Sequence, residues 1–108
     1  MKVALVCPQA PLGIPYGALY VAAVLEKNGF EVAVFNEDAG DESFPGEIIA
    51  SRPDVVGYSL NTQAYARAVE FAGKVKKALP SAVIIAGGVH STAMPREVID
   101  TLFCDYVV

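Results

Sequence analysis

Three features of this chain predict a flavodoxin-like (Rossmann-like) α/β fold: a doubly wound, five-stranded parallel sheet of order 2-1-3-4-5 in a three-layer α/β/α sandwich. Strand-type and helix-type segments alternate along the whole chain. The strand candidates are short, almost continuous apolar runs, the pattern of strands covered on both faces. Helix-stopping residues, Gly29 and Pro80 among them, stand where the helical patterns end.

Lys2 to Cys7 is β-branched and apolar and reads as the first strand. Tyr16 to Asn28 places Leu19, Val21, Ala22, Val24 and Leu25 in a helical pattern that Gly29 stops. Glu31 to Asn36 alternates polar and apolar residues, so it is the second strand. Asp38 to Ser43 is acidic and turn-rich. Pro45 to Ser51 reads as a short helix, ended before Pro53. Val55 to Ser59 is a third, apolar strand. Thr62 to Leu79 is the longest helix, with Ala64, Ala68, Phe71, Ala72, Val75 and Leu79 on one side. Ala82 to Ala86 is the fourth strand, Pro95 to Leu102 a further helix, and Tyr106 to Val108 the start of a fifth strand. No fifth helix follows, so the expectation is one domain over residues 1–108, the N-terminal piece of a longer protein.

Composition narrows the function. With 108 residues there is one core and not two. Apolar residues make up 54% and charged residues 19%, the balance of a globular domain. The net charge is −4 and no Lys/Arg stripe forms, which argues against nucleic acid and anionic membranes as partners. The apolar runs are too short to span a bilayer, and the N-terminus lacks a signal-peptide pattern. Cys7 and Cys104 are far apart and form no CxxC pair, so the reading is a cytoplasmic protein with no metal centre of its own.

In open α/β sheets ligands bind at the carboxyl ends of the strands. Four loops converge there: residues 7–15, 36–39, 59–62 and 87–92. The first contains three prolines and Gly13 and is apolar. It has no GxGxxG and no P-loop, and no hydroxyl for a flavin phosphate. A phosphoacceptor domain would need acidic residues where Cys7, Pro8 and Ser59 stand. There is no nucleophile–base–acid set beyond whatever His90 could centre. What remains is small hydroxyls (Ser59, Thr62), amide or imidazole groups (Asn61, His90) and bare backbone (Gly87, Gly88). That set suits a large neutral or aromatic ligand held by a few hydrogen bonds.

Several of these residues also have plainer readings. Gly87-Gly88 fits a tight strand-to-helix turn. Ser59 and Thr62 fit a helix N-cap pair. His90, the single histidine, fits a surface or capping role. Cys7 reads as a small buried group at a strand end. Tyr16 and Tyr20 read as packed against the sheet. Asn36-Glu37-Asp38 reads as a solvated turn.

The ordered motifs carry a resemblance. They are Lys2 to Pro8, Pro15 to Val32, Arg52 to Thr62 (Arg52-Pro53-Asp54-Val55-Val56-Gly57-Tyr58-Ser59-Leu60-Asn61-Thr62), Ala86 to Thr92 and Asp105 to Val108. Together the chain resembles the cobalamin-binding domain at the N-terminus of cobalamin-dependent radical SAM proteins, of the anaerobic magnesium-protoporphyrin IX monomethyl ester cyclase type. The resemblance covers essentially the whole chain.

What it implies is a module that holds cobalamin with its dimethylbenzimidazole tail in a slot lined by Ser59 and Gly87-Gly88. Pro8, Gly13, Leu60, Asn61, Thr62 and His90 are the other expected contacts. Relatives among mutases and methionine synthases carry DxHxxG in the first loop, whose His ligates cobalt. The loop here has neither Asp nor His, so the expected state is base-off without a histidine lower ligand. S-adenosylmethionine and an iron–sulfur cluster would belong to a downstream barrel in the parent chain, because no CxxxCxxC run occurs here. The domain alone would not be catalytic; the parent would be a methyltransferase or cyclase. A homodimer through an uncovered sheet face is a further expectation. The competing reading is a flavodoxin-like sensory or protein-interaction domain that binds no corrinoid. The two part on whether Ser59 and Gly87-Gly88 line one slot.

Overall fold

The computed structural model describes residues 1–8, 16–37, 42–88 and 95–108. The strands are β1 (Lys2–Cys7), β2 (Glu31–Asn36), β3 (Val55–Ser59), β4 (Val83–Gly87) and β5 (Tyr106–Val107). The helices are α1 (Tyr16–Lys27), α2 (Phe44–Ala50), α3 (Thr62–Ala78) and α4 (Pro95–Leu102). The sheet order is β2-β1-β3-β4-β5 and every pairing is parallel, as the alternation of segments predicts.

Local chemistry sets the element ends. Gly29 sits at φ +90°, and Phe30 N–H bonds the Leu25 carbonyl while Gly29 N–H bonds that of Glu26. This is the glycine-terminated C-cap that stops α1. Asn61 caps α3: its side-chain oxygen accepts from Ala64 N–H at 2.8 Å. The expected pair of caps, Ser59 and Thr62, is therefore corrected. Ser59 is still the last residue of β3. The extended residue just before the helix is Asn61, and it is the one placed to reach an unsatisfied N–H of the first turn.

The two faces of the sheet are treated differently. Ala4, Val6, Val56, Tyr58, Ile84 and Ala86 point to one face and are buried. Against them pack Phe44 and Ile48 of α2, Ala68, Phe71, Ala72 and Val75 of α3, and Val98 and Leu102 of α4. Tyr65 ties the two longer helices of this layer together, its hydroxyl lying 2.7 Å from Thr101 Oγ1 and 3.1 Å from Glu97 Oε1. On the other face α1 buries Ala18 and Ala22 beside β1 and β2, but no described helix covers β3, β4 and β5. Val83, Tyr106 and Val108 are exposed there.

Two expectations fail. Tyr20 is 73% exposed, so it does not pack against the sheet. Helix α1 is apolar nearly all round, and such a pattern does not reveal which side faces inward. Glu37 is 3% exposed and is no solvated turn residue. Arg67 of α3 donates Nε–H and Nη2–H to its carboxylate at 2.9–3.1 Å. A charge is buried only when it is paired this closely. The Tyr16 side chain lies outside the described residues.

Candidate functional site

Three paired residues form the floor of a groove on the open face. Leu5 of β1 pairs with Gly57 of β3, and Gly57 pairs with Ile85 of β4. One pleat further, at the carboxyl edge, Ser59 pairs with Gly87. Period-two geometry puts all five on the same face. Gly17, Ala18 and Val21 of α1 make the facing wall, and Gly88 and Val108 complete the rim. The groove encloses about 310 Å³. That is at the lower end of the range for small-molecule sites. None of its described lining residues is charged, and Ser59 contributes a hydroxyl at the edge.

The two adjacent glycines have different reasons to be glycine. Gly88 has φ +104°, and a Cβ on it would collide with the Leu60 carbonyl and lie 2.8 Å from the Leu60 nitrogen. Its bare backbone is a requirement of the turn. Gly87 has no such requirement among the described residues: a Cβ there meets none of their atoms within 4 Å. It therefore opens onto free space, and that space is the groove. The turn reading and the ligand reading thus divide between Gly88 and Gly87.

The other expected residues fall in distinct places. The Leu60 side chain is buried in the core of the opposite face, and its N–H donates to the Gly87 carbonyl at 2.9 Å. Leu60 thus supports the edge from behind. Asn61 is occupied in capping α3. Pro8 is fully buried next to Cys7. Thr62 begins α3, but its side chain lies outside the described residues, as do Gly13 and His90 altogether. Cys7 is buried, and burial pushes its thiol up to about 11, so it stays protonated at neutral pH. No cluster of three His, Cys, Asp or Glu residues suited to a metal occurs among the described residues. No described helix is long and apolar enough to cross a membrane.

Sequence reading missed Leu5, Gly17, Ala18, Val21, Gly57, Ile85 and Val108. A signal existed for two of them: Gly17 lies inside a helix and Gly57 inside a strand, and both elements disfavour glycine.

The Glu37–Arg67 pair marks the other side of the same edge. Glu37 N–H bonds the Cys7 carbonyl at 3.1 Å, which ties the end of β2 to the end of β1. The Arg67 guanidinium also lies 5.2 Å from the centre of the Phe71 ring and bonds Glu70 at 2.9 Å. The pair fixes α3 to the strand ends where the first loop departs. These bonds to two carboxylates make the pair an anchor of the edge.

A family model described as B12 binding domain matches residues 3–108. Among solved structures, the chain is similar to a novel cobalamin-binding protein from Desulfitobacterium hafniense DCB-2, with a TM-score of 0.76 and 22% identity. The match covers 99% of this chain and 52% of that one, so the chain spans about half the length of its structural neighbour. At that identity the likeness is one of fold. No curated protein matches the chain.

Proposed function

This chain belongs to the B12-binding domain family, and from that premise we propose that it holds cobalamin base-off, with the dimethylbenzimidazole tail in the groove between α1 and β3–β4. The observation that carries the reading is Gly87. Its missing side chain answers no packing need of the described residues, and it faces an apolar groove at the carboxyl edge of the sheet. A planar heteroaromatic base needs such a slot, with one hydroxyl for a ring nitrogen and no side chain in its path.

The residues divide the work. Leu5, Gly57 and Ile85 offer a flat apolar floor. Ala18 and Val21 close the side and exclude water. The Ser59 hydroxyl donates to the base, and Gly88 turns the chain away from the edge. Leu60, Asn61 and the Glu37–Arg67 pair hold that edge still. Cobalamin, when bound, supplies a cobalt centre that can carry a methyl group. The chain's own part is to hold the tail away from that centre.

In the same reading the parent protein carries a downstream radical SAM barrel, with its own S-adenosylmethionine and iron–sulfur cluster, and performs methyltransfer or cyclisation in the cytoplasm. The uncovered β4–β5 face, with Tyr106 and Val108 exposed, is the surface for that barrel or for a second copy.

The test is Gly87→Trp. The substitution should abolish uptake of methylcobalamin while circular dichroism shows an intact fold, because a side chain at 87 points into open space. Unchanged uptake would sink the slot assignment and favour a corrinoid-free interaction domain.

A further inference from the structure

Nothing among the described residues requires a glycine at position 17. It lies one residue inside α1, and glycine is the poorest helix former after proline. Its backbone does not adopt the left-handed conformation that favours glycine; among the described glycines only Gly29 and Gly88 have positive φ. Nor is space short among the described residues, since a Cβ at 17 meets none of their atoms within 4 Å. Yet Gly17 lines the groove across from the sheet, as Gly87 does. Gly17 and Gly87 thus face each other across the same opening, each with room for a side chain among the described residues. One helical turn on, Val21 is left 45% exposed in the same wall, apolar surface that a flat ligand would cover.

We propose that Gly17 is a specificity-determining residue: with Gly87 it sets the width of the groove to admit a planar bicyclic aromatic base on a corrinoid's tail. This rests on the reading of the groove as the tail site. The wall it belongs to is uncharged, so the base it admits is the neutral form. A side chain at position 17 narrows the opening from the helix side without touching the core. Such a chain discriminates against corrinoids that carry a base, and leaves those without a tail unaffected.

The experiment compares the wild-type chain with Gly17→Ala and Gly17→Leu, each titrated with cobalamin and with cobinamide, which lacks the nucleotide tail. Melting temperatures are measured in parallel. Overfilling a fitted site should weaken cobalamin binding by Gly17→Leu roughly tenfold or more. Gly17→Ala should show a smaller loss, and cobinamide binding should stay unchanged in both. The variants should melt at the same or a higher temperature, because they exchange a poor helix former for a better one. That combination of higher stability and selective loss of the tailed ligand would not follow from a merely structural role. Equal cobalamin binding in wild type and Gly17→Leu would overturn the role of Gly17 while leaving the groove reading intact. A parallel loss of cobinamide would also overturn it. If the wild-type chain failed to prefer cobalamin over cobinamide, the groove reading itself would fall, and this inference with it.

Discussion

The two faces of the sheet use the same strands for opposite ends. One face is sealed: alternate residues of β1, β3 and β4 meet three helices and are buried almost completely. Among the described residues, the other is sealed only beside α1 and is left open beneath β3, β4 and β5. On the sealed face small and large residues interlock, Ala4, Ala68, Ala72 and Ala86 beside Phe44, Tyr58 and Phe71. On the open face they include Gly57 and Gly87, and the space they leave is the groove. The difference teaches where each residue's constraint comes from. On the first face it comes from packing, which sets the fold. On the second, the described residues place no packing demand on Gly17 and Gly87, and the ligand proposed above would supply the constraint.

Adjacent isoleucines put this contrast to the largest test. Ile84 faces the sealed side and is fully buried, whereas Ile85 faces the groove and is half-buried. Ile84→Ala should cost about 3 kcal/mol of unfolding free energy, the typical loss for a core truncation that leaves a cavity. Ile85→Ala should cost less than about half of that, because its lost contacts are partly with solvent already. Urea denaturation of both variants measures the ratio. Equal costs would mean that the open face is packed as a core and that the contrast is false.

A smaller effect sharpens the picture of the sealed face. The Tyr58 hydroxyl is buried and has no hydrogen-bond partner among the described residues. Burial raises its pKa above the ordinary tyrosine value, with the nearby Cys104 adding to the shift. The ring packs 6.2 Å from that of Phe71, so the apolar part already does the packing. Tyr58→Phe should leave stability unchanged or raise it by about 1 kcal/mol, since it removes a desolvated hydroxyl. A clear loss of stability in thermal unfolding would show that the hydroxyl has a partner.

Much of the fold was legible in the sequence because its signals are local. Apolar runs give strands, helical periodicity gives the buried side of α3, and Gly29 gives a helix end. Alternation gives parallel pairing, and 2-1-3-4-5 is the natural choice among the doubly wound orders. The misreadings came where the deciding partner is remote or absent from the pattern. Glu37 looks like a solvated turn until Arg67, thirty residues on, folds over it. Tyr20 sits in a helix whose apolar residues point every way. Ser59 and Thr62 read as the caps of α3, but the extended backbone position just before the helix belongs to Asn61.

The site divides in the same manner. The sequence pointed to the strand ends and to Ser59 with the two glycines, and the structure brings those three to one groove. It could not separate Gly87 from Gly88, because the distinction lies in the Leu60 backbone behind Gly88. Nor could it find the α1 wall, which depends on how the helix is rotated against the sheet. Gly13 and His90 lie outside the described residues.

The most direct measurement is the visible absorption spectrum of methylcobalamin retained by the purified chain after desalting. The account predicts retained corrinoid with a base-off spectrum, because a tail held in the groove cannot also sit on cobalt. Retained corrinoid with a base-on spectrum, or none retained, would contradict it.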